Sequence, residues 1–96
     1  MEKYGYVYFM SNKRGGVIYI GVTSSLVQRV YQHREGLVEG FTNKYNLKHL
    51  VFFEIHESIA GAIEAEKKLK NLSRQKKISF IERDNPEWRD LYETIL

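Results

Sequence analysis

Two short runs of aromatic and branched residues, joined by a glycine-containing turn, constrain the fold of this chain more than any other feature. Tyr4 to Met10 (Tyr-Gly-Tyr-Val-Tyr-Phe-Met) reads as a strand because such residues suit a pleated, half-buried surface. Ser11 to Gly16 reads as a turn, since Gly15 and Gly16 take positive φ without steric cost. Val17 to Gly21 returns as a second strand. Symmetric closure about Lys13-Arg14 sets Tyr8 opposite Tyr19 and Tyr6 opposite Gly21. Strand alternation then puts Tyr6, Tyr8, Tyr19 and Gly21 on one face, and Val7, Phe9, Ile18 and Ile20 on the other. The expectation is an aliphatic core face and a phenolic, polar working face. The plainer alternative is that the tyrosines pack against a helix, with hydroxyls that need partners.

The remaining elements follow from caps and periodicity. Thr23, Ser24 and Ser25 are candidate N-caps for a helix ending near Gly36, with Leu26, Val27, Val30 and Tyr31 at helical spacing. Residues 37–47 read as a loop with a short helical turn. His49 to Ile55, carrying Val51, Phe52 and Phe53, reads as a third strand. Ser58 caps a long helix to about Leu72, and Ser73 caps the next, with Ile78 and Ile81 inward. Asn85-Pro86 reads as an N-cap with proline at the first helical position, opening a last helix with Trp88, Leu91, Tyr92 and Ile95 as its apolar stripe. The predicted fold is α+β, a small three-stranded antiparallel sheet flanked by helices in the order ββαβααα.

A chain of 96 residues suits one domain, 1–96. Its 43% hydrophobic and 28% charged content argues against disorder. No cysteine is present, which removes disulfide partners, thiolate zinc sites and cysteine nucleophiles together. No apolar stretch is long enough to span a membrane, and Met1-Glu2-Lys3-Tyr4 lacks the apolar region of a signal peptide. The expectation is a soluble cytoplasmic domain that makes no membrane contact.

The net charge of +3 is unevenly spread. Residues 67–77 hold six basic residues and no acid, whereas residues 82–96 carry five acids against two bases. Lys67, Lys70, Arg74, Lys76 and Lys77 are therefore candidate contacts to a phosphate backbone, where clustered cations release counterions. A solvated helix face is the bland alternative.

Three constellations could carry chemistry. In the long helix, Ile59, Ala62, Ile63 and Leu69 form one stripe, and at about 100° per residue Glu66 falls within it. An inward carboxylate is costly unless a cation or hydrogen-bond donors meet it, which points to a salt bridge with an arginine, a metal ligand or an acid/base group. In the first helix, Arg29 and His33 are four residues apart and project from one face. Arginine's planar fork suits a phosphate, and histidine carries protons near neutral pH. The tyrosines of the hairpin are the third constellation. His49 and His56 have no matching partners and read as structural.

Tyr6-Val7-Tyr8, a turn, Tyr19-Ile20-Gly21, then Arg29, His33 and the helical Glu66 together resemble the GIY-YIG nuclease superfamily. The ending, Glu66 to Lys70 through Ser73-Arg74, Lys76-Lys77 and Asn85-Pro86-Glu87-Trp88, is similar to its standalone single-domain bacterial branch. The resemblance implies that Tyr8 and Tyr19 are the motif tyrosines and that Arg29 stabilises the phosphate in its transition state. It further implies that His33 is a proton carrier and that Glu66 is the single carboxylate holding a divalent metal, Mg2+ with Mn2+ as substitute. Tyr6 stands where the first motif has glycine, and Val22 stands where some branches place a lysine. The general base is thus left to Tyr8, Tyr19 or His33.

The implied activity is metal-dependent hydrolysis of DNA phosphodiesters to 5′-phosphate and 3′-hydroxyl ends. Low sequence specificity is expected, with a preference for single-stranded or branched DNA and a place in DNA repair or recombination. The alternative is a non-catalytic module whose sheet tyrosines stack unpaired bases while residues 67–77 track phosphates. A third reading is a protein-interaction domain using Trp88, Leu91 and Tyr92. Oligomeric state is left open.

Overall fold

The computed structural model describes residues 4–96. The reading of Met1 to Lys3 as part of a leaderless N-terminus lies outside the described residues. Strands β1 (Gly5–Ser11), β2 (Ile18–Thr23) and β3 (His49–His56) form one antiparallel sheet in the order β2-β1-β3. Helix α1 (Leu26–Arg34) and the single turn α2 (Phe41–Lys44) lie between β2 and β3 in the chain. Helices α3 (Ile59–Lys70) and α4 (Arg74–Asp84) follow, and a 3₁₀ turn, Tyr92–Ile95, closes the order. The fold is therefore the α+β arrangement ββαβααα, with α2 an added turn in the loop segment and the last element shortened.

The sheet separates two apolar clusters. Val7, Phe9, Ile20, Val51 and Phe52 face Ala62 and Leu69 of α3, Ile81 of α4, and Trp88. Tyr8, Met10 and Leu50 face Leu26 and Val30 of α1 together with Leu47. The expected division of the hairpin into two faces holds, but the phenolic face is not an open polar surface. It is a second core, because α1 covers it and buries Tyr8 to 2% exposure.

The hairpin register differs from symmetric closure about Lys13-Arg14. Tyr8 pairs with Gly21, Tyr6 with Thr23 and Met10 with Tyr19. The turn centres one residue later, where Gly15 takes φ +70°, and it is fastened by Gly16 N–H to the Lys13 carbonyl (2.9 Å). A slip of two preserves alternation, so every side chain keeps its predicted face. Across β1, a bulge between Phe9 and Met10 lets Phe9 meet Phe52 and Met10 meet Leu50. Val51 is the extra residue, and so Val51 and Phe52 both serve the same cluster.

Helix ends follow their caps unevenly. Ser58 accepts from Gly61 N–H (3.0 Å) and Ser73 from Lys76 N–H (3.2 Å), as the spacing predicts. At α1 the flanking Ser25 makes no side-chain cap bond; its own N–H donates to Thr23 Oγ1 (3.0 Å).

The predicted C-terminal helix does not form. Asn85 ends α4, and its side chain is used sideways: Nδ2 donates to the Val51 carbonyl (3.1 Å) and the Arg89 carbonyl (2.9 Å), while Oδ1 accepts from Arg89 N–H (2.9 Å). Trp88 adopts φ +57°, which breaks any helix, and buries itself with Nε1 donating to Glu82 (2.7 Å). The apolar stripe is split across the sheet, with Trp88 in one cluster and Leu91, Tyr92 and Ile95 against the other. Asp90 then accepts from Leu50 N–H (3.1 Å) and pairs with Arg34, and Leu91 N–H donates to the Leu50 carbonyl (2.7 Å). Residues 85–91 thus form a strap that satisfies the backbone of the β3 bulge. Trp88 is a core residue, which removes the surface patch envisaged for a protein-interaction domain.

Candidate active site

Strand pairing, not local sequence, assembles the site. Tyr8 lies at the middle of the central strand, and its ring crosses the backbone of β2 at Gly21. A Cβ at Gly21 would stand 2.5 Å from Tyr8 Oη and 2.6 Å from Cζ, so only glycine leaves room for the phenol. The ring continues toward α1, where Tyr8 Oη meets His33 Nε2 at 2.9 Å. His33, 3% exposed, meets Thr42 Oγ1 through Nδ1 at 3.0 Å. Tyr19 packs beside both, with ring centroids 6.3 Å from Tyr8 and 5.7 Å from His33, and Phe41 stacks on its outer side at 6.4 Å.

Charge organises the same neighbourhood. Burial pushes the Tyr8 phenol well above its ordinary value of 10.0; Tyr19 and the carboxylate of Glu66 add to the rise, and the guanidinium of Arg29 opposes it. His33 is held down to about 4, first by burial and then by Arg29. Arg29 from α1 therefore lies close enough to act on both buried groups, and Glu66 from α3 close enough to act on Tyr8. Tyr8, Tyr19, Arg29, His33 and Glu66 come from β1, β2, α1 and α3 into one region, and none of these elements holds all the chemistry.

Glu66 resolves the anomaly of its helix face. Its side chain is 13% exposed, and it meets Lys70 Nζ one turn on at 3.3 Å, not an arginine of the core. Its neighbours on the stripe divide: Ala62 and Leu69 are buried, whereas Ile63 is exposed. The helix is seated by a close approach at Gly5, where a Cβ would come within 2.6 Å of the Ala62 methyl.

The basic residues do not form a single stripe. Lys67 is exposed on α3 beyond Glu66, and Lys70 holds the Glu66 pair. Arg74 reaches back to the hairpin turn and donates to the carbonyls of Gly15 (2.8 Å) and Gly16 (2.7 Å). Lys76 lines a hollow of about 420 Å³ with Lys68, Leu69, Leu72 and Phe80. Lys77 is half-buried on α4.

Two participants were not visible in the sequence as site residues. Thr42 and Phe41 sit in the 37–47 segment, which carries no periodicity, and only the fold brings them against His33 and Tyr19. For Gly21 a signal existed: a glycine inside a strand marks a place where something approaches the backbone closely.

Among the described residues no group of three or more His, Cys, Asp or Glu side chains is gathered as a metal cluster. No helix among them is long and apolar enough to cross a membrane.

Comparison with known proteins shows the family. The sequence model of the GIY-YIG catalytic domain matches residues 4–79. A UPF0213 protein of Staphylococcus saprophyticus is 30% identical over 81 residues, covering 84% of this chain and 96% of the relative. UPF0213 proteins of Pediococcus pentosaceus (26% identical, 83% of this chain and 84% of the relative) and Staphylococcus aureus (32% identical, 69% and 80%) are similar as well. No solved structure matches. With most of the chain matched, and both motif tyrosines on the paired strands that enclose the site, this chain belongs to the GIY-YIG family of nucleases.

Proposed function

We propose that the protein is a metal-dependent DNA endonuclease that hydrolyses phosphodiester bonds to 5′-phosphate and 3′-hydroxyl ends. The observation that carries this reading is the convergence of Tyr8, Tyr19, Arg29, His33 and Glu66 from four separate elements. Hydrolysis requires a water whose oxygen attacks phosphorus, a base that takes its proton, a clamp on the pentavalent charge and a proton for the departing 3′ oxygen. Arg29 has a planar fork suited to two non-bridging oxygens, and its charge acts on the Tyr8 phenol. Tyr8 serves as the base: its oxygen meets the ring nitrogen of His33, and the charge of Arg29 offsets part of the rise that burial imposes on the phenol. Tyr19, less buried than Tyr8, flanks the same position and orients the water.

The donor set suits a hard divalent cation. Glu66 is the single carboxylate acting on Tyr8, and one carboxylate completed by waters and phosphate oxygens is a common way to hold Mg2+ or Mn2+. Lys70, 51% exposed, is free to leave the Glu66 oxygen it pairs with. Glu66 would hold the cation, which when bound would supply positive charge to the departing 3′ oxygen and would offset the carboxylate's opposition to a phenolate at Tyr8. Lys67, Lys70, Lys76 and Lys77 offer sequence-blind contacts to phosphates, in keeping with low sequence specificity. Arg74 is a weaker candidate for this role, because its guanidinium already holds the hairpin turn.

The test is a cleavage panel of single-stranded, duplex and branched DNA, with Mg2+, Mn2+ or EDTA, for wild type and Glu66→Ala. Metal-dependent cutting by wild type, with DNA binding but no cutting by Glu66→Ala, is the expected result. Undiminished cutting by Glu66→Ala sinks the assignment of that residue, and binding without cutting on every substrate favours a non-catalytic module.

A further inference from the structure

The buried chain Tyr8–His33–Thr42 ends on a residue that no family motif in this sequence contains. Thr42 is 3% exposed, and its hydroxyl faces His33 Nδ1 at 3.0 Å, on the far side of the ring from Tyr8. Its position is fixed from several directions. Gly40 (φ +101°) and Asn46 (φ +59°) turn the chain at either end of α2, Leu47 N–H donates to the Thr42 carbonyl (2.8 Å), and the neighbouring Phe41 stacks on Tyr19. One helical turn thus places a ring on the second phenol and a hydroxyl on the imidazole.

A neutral imidazole carries one hydrogen, so the chain of three groups has only two directions. In one, Tyr8 donates to Nε2 and Nδ1–H donates to Thr42. For Tyr8 then to act as a base, its own proton must first pass to His33 and form an imidazolium. Burial and Arg29 both oppose that cation. In the other direction, Thr42 donates to Nδ1 and Nε2–H donates to Tyr8. The imidazole then remains neutral throughout, the Tyr8 hydrogen points away from His33, and the phenolate left once that proton passes to a water keeps a donor at 2.9 Å. The groups facing this pair from the packed elements are Arg29 on α1, Tyr19 on β2 and Glu66 on α3.

We propose that Thr42 is a positioning residue: its hydroxyl donates to His33 Nδ1 and thereby holds the ring proton on Nε2, where it is donated to the Tyr8 oxygen. No proton passes through His33 in the reaction; the imidazole is a fixed donor, and Thr42 sets its tautomer. This rests on the reading of Tyr8 as the base, but the tautomer is a property of the protein without DNA.

Nitrogen-15 NMR of the full chain with labelled histidine reads it directly. Wild-type His33 is expected to show a protonated Nε2 and an unprotonated Nδ1. Thr42→Val, which keeps the shape and removes the donor, is expected to raise the Nδ1–H population and reduce cleavage about ten- to hundredfold, the usual range for such supporting contacts. Thr42→Ser is expected to restore both. A wild-type ring protonated on Nδ1 overturns the proposal, whatever becomes of the valine variant. So does an unchanged tautomer in a folded Thr42→Val, or a serine variant that fails as valine does. Because the tautomer is read without substrate, a protein that cuts no DNA refutes the nuclease reading and leaves this measurement decisive on its own.

Discussion

Adding one methyl group at Gly21 tests the architecture of the site. In Gly21→Ala the new Cβ would lie 2.5 Å from Tyr8 Oη, 2.6 Å from Cζ and 2.9 Å from Cε1, all short of the 3.4 Å at which ordinary contact begins. The phenol must retreat by about 0.9 Å to relieve the closest of these clashes. It cannot do so freely, because α1 covers the ring and His33 holds its oxygen at 2.9 Å. Overpacking of this kind costs about 1–3 kcal/mol, and a buried hydrogen bond broken on one side costs about 1–3 kcal/mol more. The expected loss of stability is about 2–6 kcal/mol, together with loss of cleavage. Urea denaturation measures the first, and a gel-based nuclease assay the second. Gly15→Ala is the control: nothing lies within 4 Å of its Cβ, so its cost comes only from φ +70° and leaves Tyr8 untouched. If Gly21→Ala were as stable as wild type within about 0.5 kcal/mol and cut DNA normally, the account of the site as built around the Tyr8 ring would be wrong.

Three further perturbations bear on separate parts of the structure. His33 titrates at about 4 when folded against 6.5 ordinarily, so the unfolded chain binds a proton in that window that the folded chain refuses. Stability should therefore fall as pH drops from about 6.5 to about 4, by up to roughly 3 kcal/mol; urea titrations over that range should lose this component in His33→Gln, and identical profiles would refute it. Asp90→Ala strips the partner from the Leu50 and Tyr92 amides and from Arg34, and should cost about 2–4 kcal/mol by the same denaturation assay. Lys70→Ala removes the ammonium that competes for Glu66, and calorimetric Mg2+ titration without DNA should give about twofold tighter binding, in line with the small worth of an exposed pair.

The legible parts of this fold were those governed by local rules. Alternation assigned Tyr6, Tyr8, Val7 and Phe9 to faces that a two-residue error in register could not change. Ser58 and Ser73 announced their helices by side-chain caps, and the 3.6-residue period put Glu66 among Ala62 and Leu69. What remained hidden depends on partners distant in the chain. The bulge at Val51 vanishes within an apolar run, Leu50 to Phe53, where alternation has nothing to contrast. Trp88, Leu91, Tyr92 and Ile95 imitate a helical stripe, yet Asn85 finds better acceptors and donors across the chain than it would as a cap. Thr42 gains its meaning only when α2 packs beside His33. The motif tyrosines and Arg29 were conspicuous by type and spacing, whereas the proximity of Glu66 to Tyr8 required the sheet and α3 to be in place.

The strap at residues 85–91 separates two ideas of where a nuclease module stops. The family model matches residues 4–79, and a piece excised at that boundary would retain Tyr8, Tyr19, Arg29, His33, Thr42 and Glu66. It would nonetheless lose the indole that fills the centre of one cluster and the side-chain and backbone groups that satisfy Leu50 and Val51. Those residues adjoin Phe52 and Phe53, which pair with Phe9 and Tyr8 on the central strand. A polypeptide cut to the catalytic signature would therefore carry the chemistry without the buttress that holds its first tyrosine in line. For this chain the matched signature is shorter than the set of residues that packs into one fold, and any graft of the site onto another protein must carry the acidic tail with it.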